Sequence, residues 1–348
     1  MIAAKLFIEC LEREGVEMIF GLAGEENLAL LDALADSPIR FIPVRHEQAA
    51  AFMADVYGRL TGKAGVCLST LGPGATNLVT GVADAFLDRA PLVAITAQAA
   101  LSRLHKESHQ TIDVVGMFRA ITKWNTRIEQ PSVIPEVVRK AFKLAQAEKP
   151  GPCHLELPED IASAQTDGGP LDPERARRPS PDRPSLQLAA ELIEQSQRPI
   201  LLAGNGVIRG RAAEALRNFA HATGIPVANT FMGKGVMPWD DKLSLLSIGL
   251  QAHDYVNCGF DQADLVIAVG YDLVEYAPSL WNPDRKKTII HIDFTSSEVD
   301  AAYQPRVEIV ADIRETLDLL RPLVRHPKRL AYSQTLRRYT LDDLANAG

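Results

Sequence analysis

The sequence predicts an α/β fold made of two doubly wound parallel-sheet domains. Short strand-like apolar runs alternate with segments of helical period along most of the chain, an order that argues for parallel sheets covered on both faces. A stretch rich in Pro, Arg and Gly, residues 164–185, breaks that alternation into two parts.

In the first part, apolar residues recur at helical spacing from Ala4 to Leu11 and from Leu28 to Leu34. Strand-like runs are Met18 to Phe20, Phe41 to Val44, Val66 to Ser69, Leu92 to Ile95 and Cys153 to Leu157. After residue 185 a second pattern begins, with Ser185 as a plausible N-cap for a helix from Leu186 to Gln195. Strands follow near Ile200 to Ala203, Ile225 to Ala228, Leu265 to Val269 and Thr288 to Ile292, with a helix from Ala212 to Phe219. The expected division is a first domain over 1–163, a linker over 164–185, a central domain over 186–325 and a polar C-terminal tail over 326–348. In such sheets ligands bind outside the carboxyl ends of the strands.

At 348 residues and 46% apolar content the chain has enough material for two ordinary cores. Lys and Arg total 37 against 44 Asp and Glu, a formal charge of −7, and no basic run forms a nucleic-acid footprint. No run approaches 18 apolar residues, so a membrane partner is not expected. Cys10, Cys67, Cys153 and Cys258 are widely separated and form neither a zinc nor a disulfide spacing. They read as small core residues in a reducing compartment, and the N-terminus carries no leader pattern, so a cytoplasmic location is expected. No metal ligands are assigned within the chain.

Arg45-His46-Glu47-Gln48 closes the run Phe41 to Val44 and opens the helical stretch Ala49 to Leu60. A carboxylate at a strand end, backed by apolar surface, is placed for proton chemistry. A second strand-like run, Gly65 to Thr70, ends in Leu71-Gly72-Pro73-Gly74-Ala75-Thr76-Asn77, again at a helix entry. Singly these are ordinary: glutamate is favoured at a helix start by the dipole, and Gly-Pro-Gly punctuates turns. Together they suggest one shared crevice.

Residues 41–82 resemble the pyrimidine-binding domain of thiamine-diphosphate enzymes of the acetolactate synthase type, whose hallmark is a strand-end RHE followed by GPGATN. The resemblance continues through His109-Gln110-Thr111-Ile112-Asp113, Phe118, Thr122-Lys123-Trp124, Gly151-Pro152 and Leu157-Pro158-Glu159-Asp160. Gly270-Tyr271-Asp272, Glu275-Tyr276, Trp281-Asn282 and Ile290-His291-Ile292-Asp293 resemble the catabolic, flavin-independent branch. The resemblance covers roughly residues 1–320 and implies thiamine diphosphate with Mg2+ in the intact enzyme and no FAD.

It further implies that Glu47 hydrogen-bonds the pyrimidine N1′, that Gly24, Pro73 and Asn77 lie beside the cofactor, and that Gln110 faces the reacting carbons. Glu47 and Gln110 are thus the catalytic candidates, and Gly24, Glu47, Pro73, Asn77 and Gln110 the cofactor-binding set. Phe118 matches a further position, while His109 and Lys123 read as structural. The implied reaction is decarboxylation of a 2-oxo acid and carboligation to a second carbonyl, with 2-acetolactate as product from pyruvate. A homodimer or dimer of dimers is the implied assembly.

One departure stands out. After Phe20-Gly21 the family usually has Pro and small residues, whereas this chain has Ala23-Gly24-Glu25-Glu26-Asn27. Two carboxylates there either alter the pocket or cap the next helix, which leaves the acceptor open. Gly204-Asn205-Gly206-Val207 superficially resembles a dinucleotide-binding turn, yet the next strand ends in Asn229 and Thr230 rather than in an acid.

The family binds diphosphate and magnesium through Gly-Asp-Gly and a downstream Asn, and no Gly-Asp dipeptide occurs in these 348 residues. The expectation is a two-domain portion lacking the diphosphate-binding domain, inactive by itself because the cofactor's charge finds no oxygen-liganded cation. Two alternatives stay open: a related decarboxylase or carboligase using another 2-oxo acid, and a non-catalytic nucleotide-binding or interaction module.

Overall fold

Val66, Cys67 and Leu68 have at most 1% of their surface exposed, as expected of a strand covered by helices on both faces. The computed structural model describes residues 1–174, 177–249, 255–328 and 330–346. It divides the chain into two units, residues 1–175 and 176–348, each built on its own parallel sheet.

The first unit contains, in chain order, α1 (Ala3–Arg13), β1 (Met18–Gly21), α2 (Leu28–Ala35), β2 (Arg40–Pro43), α3 (Glu47–Thr61), β3 (Gly65–Ser69), α4 (Gly72–Leu87) and β4 (Leu92–Gln98). It continues with α5 (Val114–Phe118), β5 (Trp124–Arg127), α6 (Ile134–Gln146), β6 (Pro152–Pro158) and α7 (Glu159–Ser163). The strand order is β2-β1-β3-β4-β6-β5, all parallel. From β1 the chain winds outward to β2, and from β3 it winds the other way to β4, so the topological switch point lies between β1 and β3.

One face of this sheet is covered by α1 and α6, with Phe7, Leu11, Val138 and Phe142 in the core. On the other face lie α3, α4 and α5, where Ala50, Ala51, Ala54, Ala75 and Leu78 are fully buried. The α3–α4 seam is made of small residues. A Cβ on Gly81 would lie 2.6 Å from the Ala51 Cβ, so the glycine permits an approach that alanine would block. At the far end of the pair, the Arg59 guanidinium bonds Asp55 on its own helix at 2.8 Å and Asp84 at 2.7 Å, then Asp88 at 2.6 Å.

The second unit contains α8 (Arg183–Gln195), β7 (Pro199–Ala203), α9 (Asn205–Arg209), α10 (Ala213–Thr223), β8 (Val227–Asn229), β9 (Ser244–Ser247) and α11 (Tyr255–Gln262). After these come β10 (Leu265–Val269), β11 (Thr288–Asp293), β12 (Val307–Val310), α12 (Ile313–Leu320) and α13 (Ala331–Asn346). Its sheet runs β12-β11-β10-β7-β8-β9, again parallel, with the switch point between β7 and β10. Leu216, Phe219 and Leu317 pack on one face, and Phe260, Tyr271, Trp281 and Tyr303 on the other. Among the described residues no helix is long and apolar enough to cross a membrane.

Two local expectations change. Asp182, not Ser185, caps α8: its carboxylate accepts from the Ser185 N–H at 2.9 Å, and the helix starts at Arg183. Pro184 lies in the first turn, where its missing N–H costs nothing, so the helix begins before the proline. Within the stretch read as a polar tail, residues 331–346 form α13, which packs on α11 and β9. Leu336 is buried, and Arg337 donates to the carbonyls of Ser244 and of Trp239, the latter at 2.6 Å. The buried Leu336 and an arginine that spends its fork on backbone carbonyls leave little apolar period to read.

Candidate functional site

Glu47 is the first residue of α3, four positions beyond the end of β2. His46 caps the helix, its Nδ1 accepting from the Gln48 N–H at 3.2 Å. With the start of the helix fixed, the Glu47 side chain turns inward and retains only 5% exposure. Asn77, on the second turn of α4, donates from Nδ2 to Glu47 Oε2 at 2.9 Å. The other oxygen faces the glycine turn: a Cβ built on Gly74 would lie 3.1 Å from Glu47 Oε1.

That turn is narrow at Gly72 and Gly74, which lack side chains. Gly72 has φ +49°, in the left-handed region that favours glycine, and a Cβ there would lie 2.4 Å from the Gln110 carbonyl oxygen. Pro73 occupies the first turn of α4 and is exposed. Gly24, after β1, would place a Cβ 2.5 Å from the Thr70 Cβ. Register explains the convergence: Gly21 pairs with Leu68, so the loop after β1 and the turn after β3 leave the sheet side by side.

All five sequence-nominated residues thus gather at the carboxyl end of the first sheet, around the switch point. Glu47 and Asn77 bond directly, Gly24 meets Thr70, Thr70 meets Gly74, and Gln110 lies on Gly72. Phe118 is fully buried and stacks on His154 with ring centroids 4.2 Å apart. Lys123 donates to the Ala147 carbonyl at 2.8 Å, and burial holds its pKa below the usual lysine value. His109 is exposed.

Thr70 was not singled out from sequence. Its hydroxyl donates to Glu26 Oε2 at 2.7 Å, joining the loop after β1 to the end of β3. Of the two carboxylates that depart from the expected pattern, Glu26 is therefore tied down, while Glu25 is exposed. The only sequence hint was the position of Thr70 between an apolar run and a glycine turn.

At the switch point of the second unit the glycine turn is already filled. Glu275 accepts from the Asn205 N–H at 3.1 Å, from the Asp272 N–H at 3.2 Å and from the Thr230 hydroxyl. Burial raises its pKa, with these donors opposing the shift. A Cβ on Gly204 would lie 2.4 Å from the Gly270 carbonyl oxygen and 3.0 Å from Glu275 Oε1. In this turn the Asn205 N–H is spent on the Glu275 side chain and the Gly206 N–H on the Gly270 carbonyl, rather than left for a phosphate.

Among the described residues, no group of three His, Cys, Asp or Glu side chains is arranged to hold a metal. An open groove of about 480 Å³ follows edge strand β5, lined in part by Trp124, Arg127 and Lys140. It contains none of the residues gathered around Glu47.

Comparison with known proteins matches two separate parts of the chain. Residues 1–117 match the thiamine pyrophosphate enzyme N-terminal TPP binding domain, and residues 186–320 match the central domain of the same enzymes. The chain is 40% identical over 340 residues to a probable acetolactate synthase large subunit of Methanocaldococcus jannaschii, covering 93% of this chain and 56% of that protein. It is 38% identical over 327 residues to the chloroplastic acetolactate synthase 2 of Nicotiana tabacum, covering 92% and 49%. With the acetolactate synthase of Bacillus subtilis it shares 35% identity over 317 residues, covering 90% and 56%. The chain spans about half the length of these curated relatives. With both domain types matched in order and parallel α/β sheets in each, the chain belongs to the thiamine pyrophosphate enzyme family, of which it carries the N-terminal and central domains.

Proposed function

We propose that this chain is the two-domain portion of a thiamine-diphosphate-dependent carboligase that decarboxylates a 2-oxo acid, with pyruvate as donor and acceptor and 2-acetolactate as product. The observation that carries the reading is the Glu47 carboxylate: buried at the switch point, bonded to Asn77 at 2.9 Å, and facing Gly74, which has no side chain. A flat heteroaromatic ring with a basic nitrogen fits a crevice whose walls at Gly24, Gly72 and Gly74 are backbone only. Bound there, thiamine diphosphate would supply the electron sink for decarboxylation.

The chain's own residues have distinct tasks in this reading. Glu47 holds or moves the proton at the ring nitrogen. Asn77 fixes the carboxylate rotamer and occupies one of its oxygens, leaving Oε1 for the ring. Gly24 and Pro73 shape the walls, and Gln110 offers an amide to the reacting substrate. Apolar surface from Ala50 and Ala51 keeps water from the base of Glu47.

The diphosphate and Mg2+ are assigned to a domain type with Gly-Asp-Gly, a motif these 348 residues lack. By themselves they are read as inactive. FAD is not part of the proposal, since the Asn205 and Gly206 N–H groups of the second unit's glycine turn are bonded to Glu275 and to the Gly270 carbonyl. The enzyme is read as a cytoplasmic homodimer or dimer of dimers; four free cysteines fit a reducing compartment.

The test is product analysis of the full-length protein with pyruvate, thiamine diphosphate and Mg2+. Formation of 2-acetolactate and CO2 is expected. Turnover of a different 2-oxo acid would move the proposal to a related carboligase, and no turnover of any would defeat it. Calorimetry on residues 1–348 should show no tight cofactor binding.

A further inference from the structure

Gln110 is exposed and adopts φ +54°, a left-handed conformation that a non-glycine residue holds only when its surroundings impose it. Beneath the segment that carries it lies a buried polar chain. Gln98, at the end of β4, donates from Nε2 to the Ile112 carbonyl at 3.2 Å and to Glu156 Oε1 at 3.0 Å. Its own Oε1 accepts from the Ala99 N–H at 3.0 Å. Glu156, on β6, bonds the Arg127 Nε through its other oxygen. Sheet register sets the chain up, since Arg127 pairs directly with Glu156 while Thr96, two residues before Gln98, is its partner on the other side.

Gln98 and Glu156 have no exposed surface. A buried carboxylate and a buried carboxamide are costly unless satisfied, and here each completes the other. The Ile112 carbonyl, which Gln98 grips through its side chain, lies outside the strands and two residues after Gln110.

We propose that Gln98, Glu156 and Arg127 are positioning residues for Gln110: they lock the segment 110–113 onto the sheet so that the Gln110 carboxamide is presented beside the Gly72 turn. The link to catalysis rests on the function proposed above, whereas the locking itself does not.

The experiment is hydrogen–deuterium exchange on residues 1–348, paired with kinetics of the full-length enzyme. The Thr111 and Val114 amides donate to the carbonyls of Ser108 and Ile112, so they report on the segment. Gln98→Met should speed exchange at both by tenfold or more and leave the Leu155 amide of β6 unchanged. Arg127→Met should do the same, whereas Arg127→Lys should restore most of the protection. Unchanged exchange at Thr111 and Val114, or an equal loss across the whole sheet, overturns the proposal. If Gln98→Met does not fold, the Arg127 pair decides.

In the full-length enzyme Gln98→Met should lower kcat at least tenfold with the apparent cofactor affinity within twofold of the parent. Faster exchange with an unchanged kcat would overturn the positioning of Gln110 for catalysis. An inactive parent enzyme would sink the functional reading, and the exchange data would still decide whether the segment is locked.

Discussion

Asn77 Nδ2 lies 2.9 Å from Glu47 Oε2, so the second turn of α4 holds the side chain that begins α3. Replacing Asn77 with Leu keeps the volume and removes the donor from a carboxylate that has almost no access to water. A loss of about 1–3 kcal/mol in urea unfolding is expected. Glu47→Gln should keep the fold, with the amide oxygen still able to accept, but lower turnover of the full-length enzyme by about 10² or more. A stable Asn77→Leu chain, or a fully active Glu47→Gln enzyme, would remove the basis for the pair.

Gly24→Ala puts a methyl group 2.5 Å from the Thr70 Cβ, inside the contact that joins two crevice walls. Neither backbone can yield freely, because Thr70 is also bonded to Glu26. The cost should be about 1–3 kcal/mol, typical of forced overpacking, and the cofactor affinity of the full-length enzyme should fall with it. Thermal unfolding and cofactor titration read the two effects separately.

His154 has no exposed surface, and burial pushes its pKa down to about 3 from the usual 6.5. Below pH 6.5 the unfolded chain takes up a proton that the folded chain refuses. Stability contributed by the neutral imidazole is therefore complete above pH 6.5 and lost as the pH falls toward 3, at up to about 1.4 kcal/mol per pH unit. His154→Gln should flatten the difference in unfolding free energy between pH 6.5 and 5. Parallel pH profiles for the two proteins would show that the imidazole is not the group responsible.

Glu275→Ala strands the Asn205 and Asp272 N–H groups and the Thr230 hydroxyl. Relief of a buried carboxylate offsets part of that, leaving a net loss of about 1–3 kcal/mol. Because burial raises the folded pKa above the unfolded value, the favourable contribution of Glu275 is full below pH 4.5 and declines as pH rises through the folded value. The penalty for the substitution should accordingly be larger at pH 4.5 than at pH 8, measured by denaturant titration at each.

Burial pushes the Cys10, Cys67 and Cys153 thiols up to about 12, whereas Cys258 is half-buried on α11. Thiolate is the reactive form. Brief treatment of the native chain with iodoacetamide at pH 8 should alkylate Cys258 first, by peptide mass spectrometry. Equal labelling of Cys67 would mean that β3 opens far more readily than its complete burial implies.

Most of the strands that could be read from sequence are central ones, with the edge strand β2 read as well from Phe41 to Val44. β7, β10 and the first part of β4, Leu92 to Ile95, are continuous apolar runs, as is Val66 to Leu68 of β3, because helices cover both faces. β5, Trp124-Asn125-Thr126-Arg127, escaped notice because an edge strand is only half-covered and carries polar side chains. β12 alternates buried and exposed residues for the same reason. At the candidate site, Glu47 and the glycine turn were legible because each stands at a strand-to-helix junction with a distinctive residue order. The Gln98–Glu156 bond was not, since residues 58 apart become neighbours only through the parallel register of β4 and β6. Thr70 lacked a signal for a similar reason: its partner Glu26 arrives from another loop.

The close seam between α3 and α4 ties the crevice to positions well removed from it. Glu47 and Asn77 stand near one end of the helix pair, Arg59 with its three aspartates at the other, and Gly81 against Ala51 between them. Two rods held at both tips and pressed together midway cannot shift independently. A methyl group inserted at Gly81 would splay them and pull the Glu47–Asn77 bond apart without touching either residue, so loss-of-function variants in this protein should accumulate along a line of alanines and glycines that carries no chemistry of its own.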